Sequence, residues 1–436
     1  MNSKVENIYQ LEGKVPLSKA IPFGTQHVLA MFVANIAPIF IVANASGLSG
    51  DQTAVLIQNA MFIAGVGTLI QLYPIFKIGS KLPIVMGVSF TFVNILCFVG
   101  ATYGYETAIG AIIIGGIFEG TLGLCAKYWR KIVSPVVAAS VVTAIGFSLL
   151  NVGATSFGGG SGAENFGSKE NLILGTVTLV SCLIFNILAK SFWKQLSVLF
   201  GLIVGYILAI VMGMVDFSGV FSAGVIALPQ FMPFVPKFNI SSIIAVAVIF
   251  LVSATETIGD TSALTVTGLK RDVSDEEISG SLACDGYISS VSGLFGCLPI
   301  TSFSQNVGLV AMTKVVNRFT IMTGAMLMII AGLFPVVGKL FATLPDAVLG
   351  GCTIMMFGSI VVSGVQMITR CGFNQRNTTI IALSLGIGIG FTQVPEIFAI
   401  LPQMVQEVLA SNSVAVVFIV AIILNLVLPQ NMEISE

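Results

Sequence analysis

Residues 298–314 read Leu-Pro-Ile-Thr-Ser-Phe-Ser-Gln-Asn-Val-Gly-Leu-Val-Ala-Met-Thr-Lys, and from 286 to 313 the chain carries no charged side chain. A run so apolar belongs inside a membrane or a core, yet Pro299 and Gly308 punctuate it and Ile300–Phe303 reads as a short extended piece. Gln305 and Asn306 add amide donors and acceptors that need partners in such surroundings. The same opening occurs half a chain earlier, at Leu82-Pro83-Ile84, an offset of 216 (82 to 298). Gly87 follows it, and Ser89-Phe90-Thr91-Phe92-Val93 reads as a second extended piece. At that offset Ser89 falls on Gln305 and Phe90 on Asn306. Irregular backbone at membrane depth survives only where protein buries it or a cavity lines it. Two interrupted segments in corresponding halves therefore predict a central binding site, faced by the positive N-terminal ends of the helices that follow.

The rest of the chain supports a membrane reading. Of 436 residues 56% are hydrophobic and only 9% charged, where a soluble domain has ~25% charged, and the mean hydropathy is +1.00. Net charge is −1, which offers no basic surface for nucleic acid. Seven scattered cysteines form no CxxC pair and read as small packing residues in a reduced compartment. The first 20 residues are polar, and the apolar run after them is too long for a cleaved signal peptide.

A spanning helix needs ~20 apolar residues, and the apolar runs, Phe319–Gly338 among them, add up to about fourteen segments. With the N-terminus in the cytoplasm, every second loop should be rich in Lys and Arg. Sixteen of nineteen basic residues obey; Lys169, Lys237 and Lys339 do not. The opposite loops carry Asp51, Glu106, Glu164, Glu396 and Glu407. Both termini are therefore expected in the cytoplasm. Fourteen segments make two halves of seven, and an odd half must re-enter from the other side, so the repeat is inverted. Pro135 and Pro345 begin the fifth and twelfth segments, as proline suits a helix start.

Ionisable groups within such segments are functional candidates by default. They are His27, Glu119, Glu256, Asp260, Asp285 and Asp346. Asp346 follows Pro345 and reads as a helix N-terminal acid; Glu119, among Gly115, Gly116 and Gly120, reads as a helix bridge or a transport residue. Asp285 is either an exposed helix-start acid or functional, and His27 either a packed histidine or functional. Glu256 and Asp260 lie four apart on one helix face, where two acids repel unless one holds a proton or a cation intervenes. One lone histidine provides neither a nucleophile–base pair nor a metal set such as HExxH, so enzyme and metal readings fall away.

Gln305–Lys314, in the pattern Q-N-x-G-x-x-x-x-T-K, resembles the signature of the nucleobase–ascorbate transporter family, the nucleobase–cation symporters. Gln26-His27, Ser89-Phe90, Glu256 and Asp285 keep it company, and the resemblance runs over nearly the whole chain, most like the bacterial xanthine and uric acid permeases. It implies an all-α polytopic fold of fourteen segments in a seven-plus-seven inverted repeat, segments three and ten being broken by short paired strands. It implies a core domain over 20–130 and 237–343, a gate domain over 131–236 and 344–429, and cytoplasmic tails at 1–19 and 430–436. It implies Glu256 and Gln305 as the groups holding the base, with Ser89 and Phe90 beside it and Phe90 on the ring face. His27, Asp260, Asp285 and Asn306 would support or couple. It further implies a homodimer through the gate domains, in the cell membrane, with a proton as coupling ion and no other cofactor. Glutamine at 305 favours an oxopurine over uracil. A uracil permease, and an anion transporter of the same architecture, are the alternatives; Glu256 opposes the second.

Overall fold

The computed structural model describes residues 7–190, 192–220 and 224–429; Lys4 and the tail expected over 430–436 lie outside them. Among those residues fourteen helices reach ten residues or more. They are α1 (Leu17–Ala45), α2 (Gly50–Leu72), α3 (Val93–Tyr103), α4 (Tyr105–Leu124), α5 (Pro135–Phe157), α6 (Lys169–Leu188) and α7 (Ser197–Val211), then α8 (Ile240–Leu264), α9 (Asp275–Leu294), α10 (Ser304–Thr313), α11 (Arg318–Ala331), α12 (Asp346–Cys371), α13 (Gln375–Thr392) and α14 (Ser413–Val427). Seven of them, α1, α2, α4, α5, α6, α8 and α12, are each long and apolar enough to cross a membrane. Local chemistry fixes several starts. Ser49 and Ser274 close capping boxes with Gln52 and Glu277 at the heads of α2 and α9. Pro135 sits in the first turn of α5, where its missing N–H costs nothing.

The apolar run Phe319–Gly338 holds a break. α11 ends at Ala331, and a short helix, Pro335–Ala342, leaves it at 78°. Pro335 has no N–H to continue the ladder and its ring would clash with the preceding turn, so the break falls just before it.

Two three-residue strands pair at the centre. β1 (Met86–Val88) runs antiparallel to β2 (Ile300–Ser302), with Gly87 opposite Thr301. β2 lies where the sequence predicts an extended piece. β1 lies three residues earlier than expected: of Ser89–Val93 only Ser89 is extended. The Ser89 hydroxyl accepts from Thr91 N at 3.4 Å, Phe90–Phe92 makes a 3-10 turn and Val93 opens α3. A serine that satisfies the first free N–H groups of a helix overrides the strand preference of the aromatics after it.

The strands are far too short to stand alone, and side chains of the surrounding helices complete their hydrogen bonding. Asn35 of α1 accepts from Val88 N at 2.7 Å, and Thr68 of α2 accepts from Met86 N at 3.0 Å. Asp285 of α9 accepts from Ser302 N at 2.9 Å. The main chain adds Ser89 N to Pro299 O at 3.0 Å and Phe303 N to Val85 O at 2.9 Å. This meets the requirement that buried backbone polar groups be paired.

Around this centre α4 lies along α9 and α8, and α1 and α2 lie along α11. At the α4–α9 crossing the backbones touch: a Cβ on Gly286 would strike Gly120 N, so only glycine permits that approach. On the other side α5 lies along α12, α6 along α7, and α13 along α14. Leu172, Ile184 and Leu188 of α6, Ile207 and Val211 of α7, and Leu426 of α14 stay exposed, as lipid-facing side chains would. Two of the three basic residues that break the charge rule face acids of the opposite loops, Lys237 with Glu106 at 3.9 Å and Lys339 with Asp51 at 3.5 Å.

Candidate functional site

α8 carries Glu256 and Asp260 one turn apart, and both are half-buried. The head of α10 brings Ser304 to them. Its hydroxyl lies 3.1 Å from Glu256 Oε1 and 2.6 Å from Asp260 Oδ2. Thr91, in the turn after β1, donates to Glu256 Oε2 at 2.7 Å. A serine hydroxyl carries one proton, so it donates to only one of the two acids. The other contact is a hydrogen bond only if that acid supplies the proton. The Glu256–Ser304–Asp260 arrangement therefore has room for one extra proton.

A cavity of about 260 Å³ opens beside Glu256. Ser89, Phe90, Thr301, Ser304, Gln305 and Gly308 line it from the strand ends and α10, and Val142 and Ile145 of α5 and Ser359, Ile360 and Ser363 of α12 line it from across. Its size is near the lower end of small-molecule pockets, ~300 Å³. The Gln305 side chain is half-buried at its edge and makes no hydrogen bond to the described residues, so its amide is unspent. Phe90 packs edge-on against Phe357 of α12, centroids 5.4 Å apart.

The four residues expected at the substrate thus share one cavity: Glu256, Gln305, Phe90 and Ser89. The other four do not line it. Asp260 reaches it through Ser304. Asp285 is fully buried behind β2, mid-helix rather than at an exposed helix start. It accepts four hydrogen bonds, from Thr257 Oγ1 at 2.6 Å, Ser302 N at 2.9 Å, Ser302 Oγ at 3.0 Å and Gln71 Nε2 at 3.2 Å. That is the chemistry of an anchor for the strand. Asn306 turns away from the cavity, its Nδ2 being 3.2 Å from His27 Nδ1 and 3.3 Å from His27 O. The pair ties α10 to α1. Glu119 is buried on α4, makes no well-formed hydrogen bond and has the Ser253 hydroxyl beside it. Asp346, at the head of α12, accepts from Asn44 Nδ2 of α1 at 2.7 Å.

Sequence reasoning missed Thr91, Ser304 and Gln195 at this site, and Gln71 and Asn35 behind it. Hydroxyls are too common in helices to stand out, and Gln195, Gln71 and Asn35 lie outside the broken segments that drew attention.

A family model described as Permease family matches residues 18–397. Xanthine permease XanQ of Escherichia coli is 35% identical over 438 residues, covering 97% of this chain and 94% of that protein. A xanthine permease of Bacillus subtilis is 35% identical over 416 residues, covering 94% of this chain and 93% of that one. Among solved structures, the transmembrane domain of the cyanobacterial bicarbonate transporter BicA has the same fold, with a TM-score of 0.64 at 17% identity, covering 94% of this chain and 98% of that chain. With apolar spanning helices, a transporter fold and near full-length similarity to permeases, this multi-pass membrane chain belongs to the nucleobase–ascorbate transporter family.

Proposed function

We propose that this chain imports an oxopurine base, xanthine or uric acid, across the cell membrane together with a proton. The observation that carries the reading is that Glu256 and Gln305 edge one cavity. An oxopurine presents N–H donors beside C=O acceptors around a flat rim. A carboxylate accepts from two adjacent N–H groups, and a glutamine amide answers an N–H next to a C=O. Phe90 supplies an aromatic wall for the ring. A site of this kind rejects an analogue that leaves its polar groups unpaired. The named relatives are xanthine permeases, which supports the same class of substrate. The likeness to a bicarbonate transporter concerns the fold alone, and an acid at the cavity wall disfavours an anion.

The base can offer two N–H groups only to an ionised Glu256. The proton for which the Ser304 bridge has room then resides on Asp260, one turn away. This is the coupling we propose, with Asp285 and the His27–Asn306 pair holding the strand and α10 in register. No cofactor beyond the proton enters this reading.

Alternating access follows from two bodies. The helices gathered around the strand pair, α1–α4 and α8–α11, form the core over 20–130 and 237–343. The helices α5–α7 and α12–α14 form the gate over 131–236 and 344–429. Close packing within each set and sparser packing between them support this division. The fourteen helices are read as fourteen segments of an inverted repeat, with both termini cytoplasmic and a homodimer formed through the gate.

The test is uptake of radiolabelled xanthine, urate and uracil by cells lacking their own permeases, with and without a protonophore. Xanthine or urate uptake that collapses with the proton gradient is expected. Uracil uptake at an equal rate, or purine uptake indifferent to the protonophore, defeats the proposal.

A further inference from the structure

We propose that the transport route holds a second, weaker resting place for the base, built around Gln195, between the Glu256–Gln305 cavity and the face that bears Lys194. This rests on reading the chain as a purine transporter. A separate cavity of about 160 Å³ is walled by α1, the start of α7 and α12. Gln195, Gln305 and Ser359 border both cavities, so the two meet at a waist formed by those three side chains. A cavity of ~150 Å³ accepts a benzene ring, so this one takes a ring of the base.

Its polar groups have the chemistry for a base edge and little else to bond. Gln195 Nε2 has only the Met312 sulfur at 3.9 Å, a weak acceptor. Asn186 Nδ2 has only Ser197 Oγ, at the limit of 3.5 Å. Two amides with free donors and acceptors thus face a space one ring in size, and Met355, Met356, Val33 and Leu29 supply apolar walls for the ring. No acid is among its lining residues. The site lacks the double acceptor that Glu256 provides and binds the base less tightly, as a release station requires. Its place along the path also fits. Lys194, Gln195 and the first residues of α7 line it beside the waist it shares with the main cavity. A base leaving Glu256 exchanges Gln305 for Gln195 without losing all its hydrogen bonds at once, which lowers the barrier to exit.

Gln195→Met keeps the length and stem of the side chain and removes both amide functions. In proteoliposomes it should slow xanthine exchange about tenfold, the loss of one hydrogen bond of ~1.4 kcal/mol. Gln195→Cys supplies a second readout, with the wild type as background for the native thiols. Xanthine should slow modification of the introduced thiol by a membrane-impermeant reagent in inside-out vesicles. It should still do so, at higher concentration, in the Gln195→Cys/Glu256→Gln double variant, where the main site is disabled. Exchange at the wild-type rate in Gln195→Met, or a thiol that xanthine fails to protect in the Glu256→Gln background, overturns the second site and leaves the transporter reading intact. A wild-type protein that carries no xanthine overturns both.

Discussion

At the scale of single residues, the chemistry turns on one hydroxyl between two acids. Ser304 contacts Glu256 and Asp260 at 3.1 and 2.6 Å but has one proton to give. On the proposed reading, a carboxylate at 256 forms charge-assisted hydrogen bonds with the base, each worth ~1.5–3 kcal/mol. Glu256→Gln replaces two acceptors by one acceptor and a donor aimed at the base's N–H. Labelled xanthine binding to the purified variant should fall at least ~100-fold, the loss of two such bonds; retained tight binding takes the acid out of the site. Gln305→Glu presents acceptors only, and should cut purine uptake while improving uracil relative to xanthine. Unchanged selectivity would mean that 305 does not touch substrate. These residues were legible in the sequence because ionisable and amide groups are costly in an apolar run and therefore conspicuous. Their partners Thr91 and Ser304 were not, because a hydroxyl in a helix normally bonds back to its own turn, as Thr255 does to Leu251 O at 3.1 Å.

At the scale of elements, the strand pair positions the site, since Glu256 receives Thr91 from the turn after β1 and Ser304 from the residues just after β2. Gly87 is the tightest point. A Cβ there would lie 2.6 Å from Met31 Cε, 2.8 Å from Phe303 Cδ2 and 3.0 Å from Asn35 Oδ1, and Asn35 also holds Val88 N. Valine has the higher strand propensity, so propensity alone predicts that Gly87→Val stabilises. Overpacking predicts the reverse, by ~1–3 kcal/mol, and should prevail because α1, α2 and β2 fix the walls. A lowered thermal midpoint and lost uptake are expected; Gly358→Ala in α12, with nothing within 4 Å, should be neutral or raise the midpoint. A stabilised Gly87→Val protein with normal uptake would refute the packing argument. The sequence announced both breaks through Leu-Pro-Ile and the glycines. It misplaced β1 by three residues because alternating Phe-Thr-Phe-Val mimics a strand, and only the Ser89 cap reveals a helix start. The bend at Pro335 went unread because the residues on both sides of it are apolar enough to pass for one span.

At the scale of the whole molecule, the helix packing has a symmetry that the weak sequence repeat only hints at. Replace each helix by the one seven places away: α1 on α11 becomes α8 on α4, α2 on α11 becomes α9 on α4, α6 on α7 becomes α13 on α14, and α5 on α12 returns to itself. The capping boxes of α2 and α9 exchange likewise. The strand register sets the offset between halves at 214 (Gly87 to Thr301), two residues from the 216 read off Leu-Pro-Ile. On the alternating access we propose, the two bodies slide, and contacts between them on one side must part as they do. Asn44 Nδ2 donating to Asp346 Oδ1 at 2.7 Å and the Phe90–Phe357 contact are of this kind. With Asn44→Cys and Asp346→Cys together, a short bifunctional thiol reagent should fix α1 to the head of α12. Uptake of xanthine should then stop, while binding to the purified, cross-linked protein persists and each single variant treated with the same reagent still transports. Full cross-linking with undiminished uptake would mean that the two sets of helices move as one, and that the base crosses by some motion other than the sliding of one body along the other.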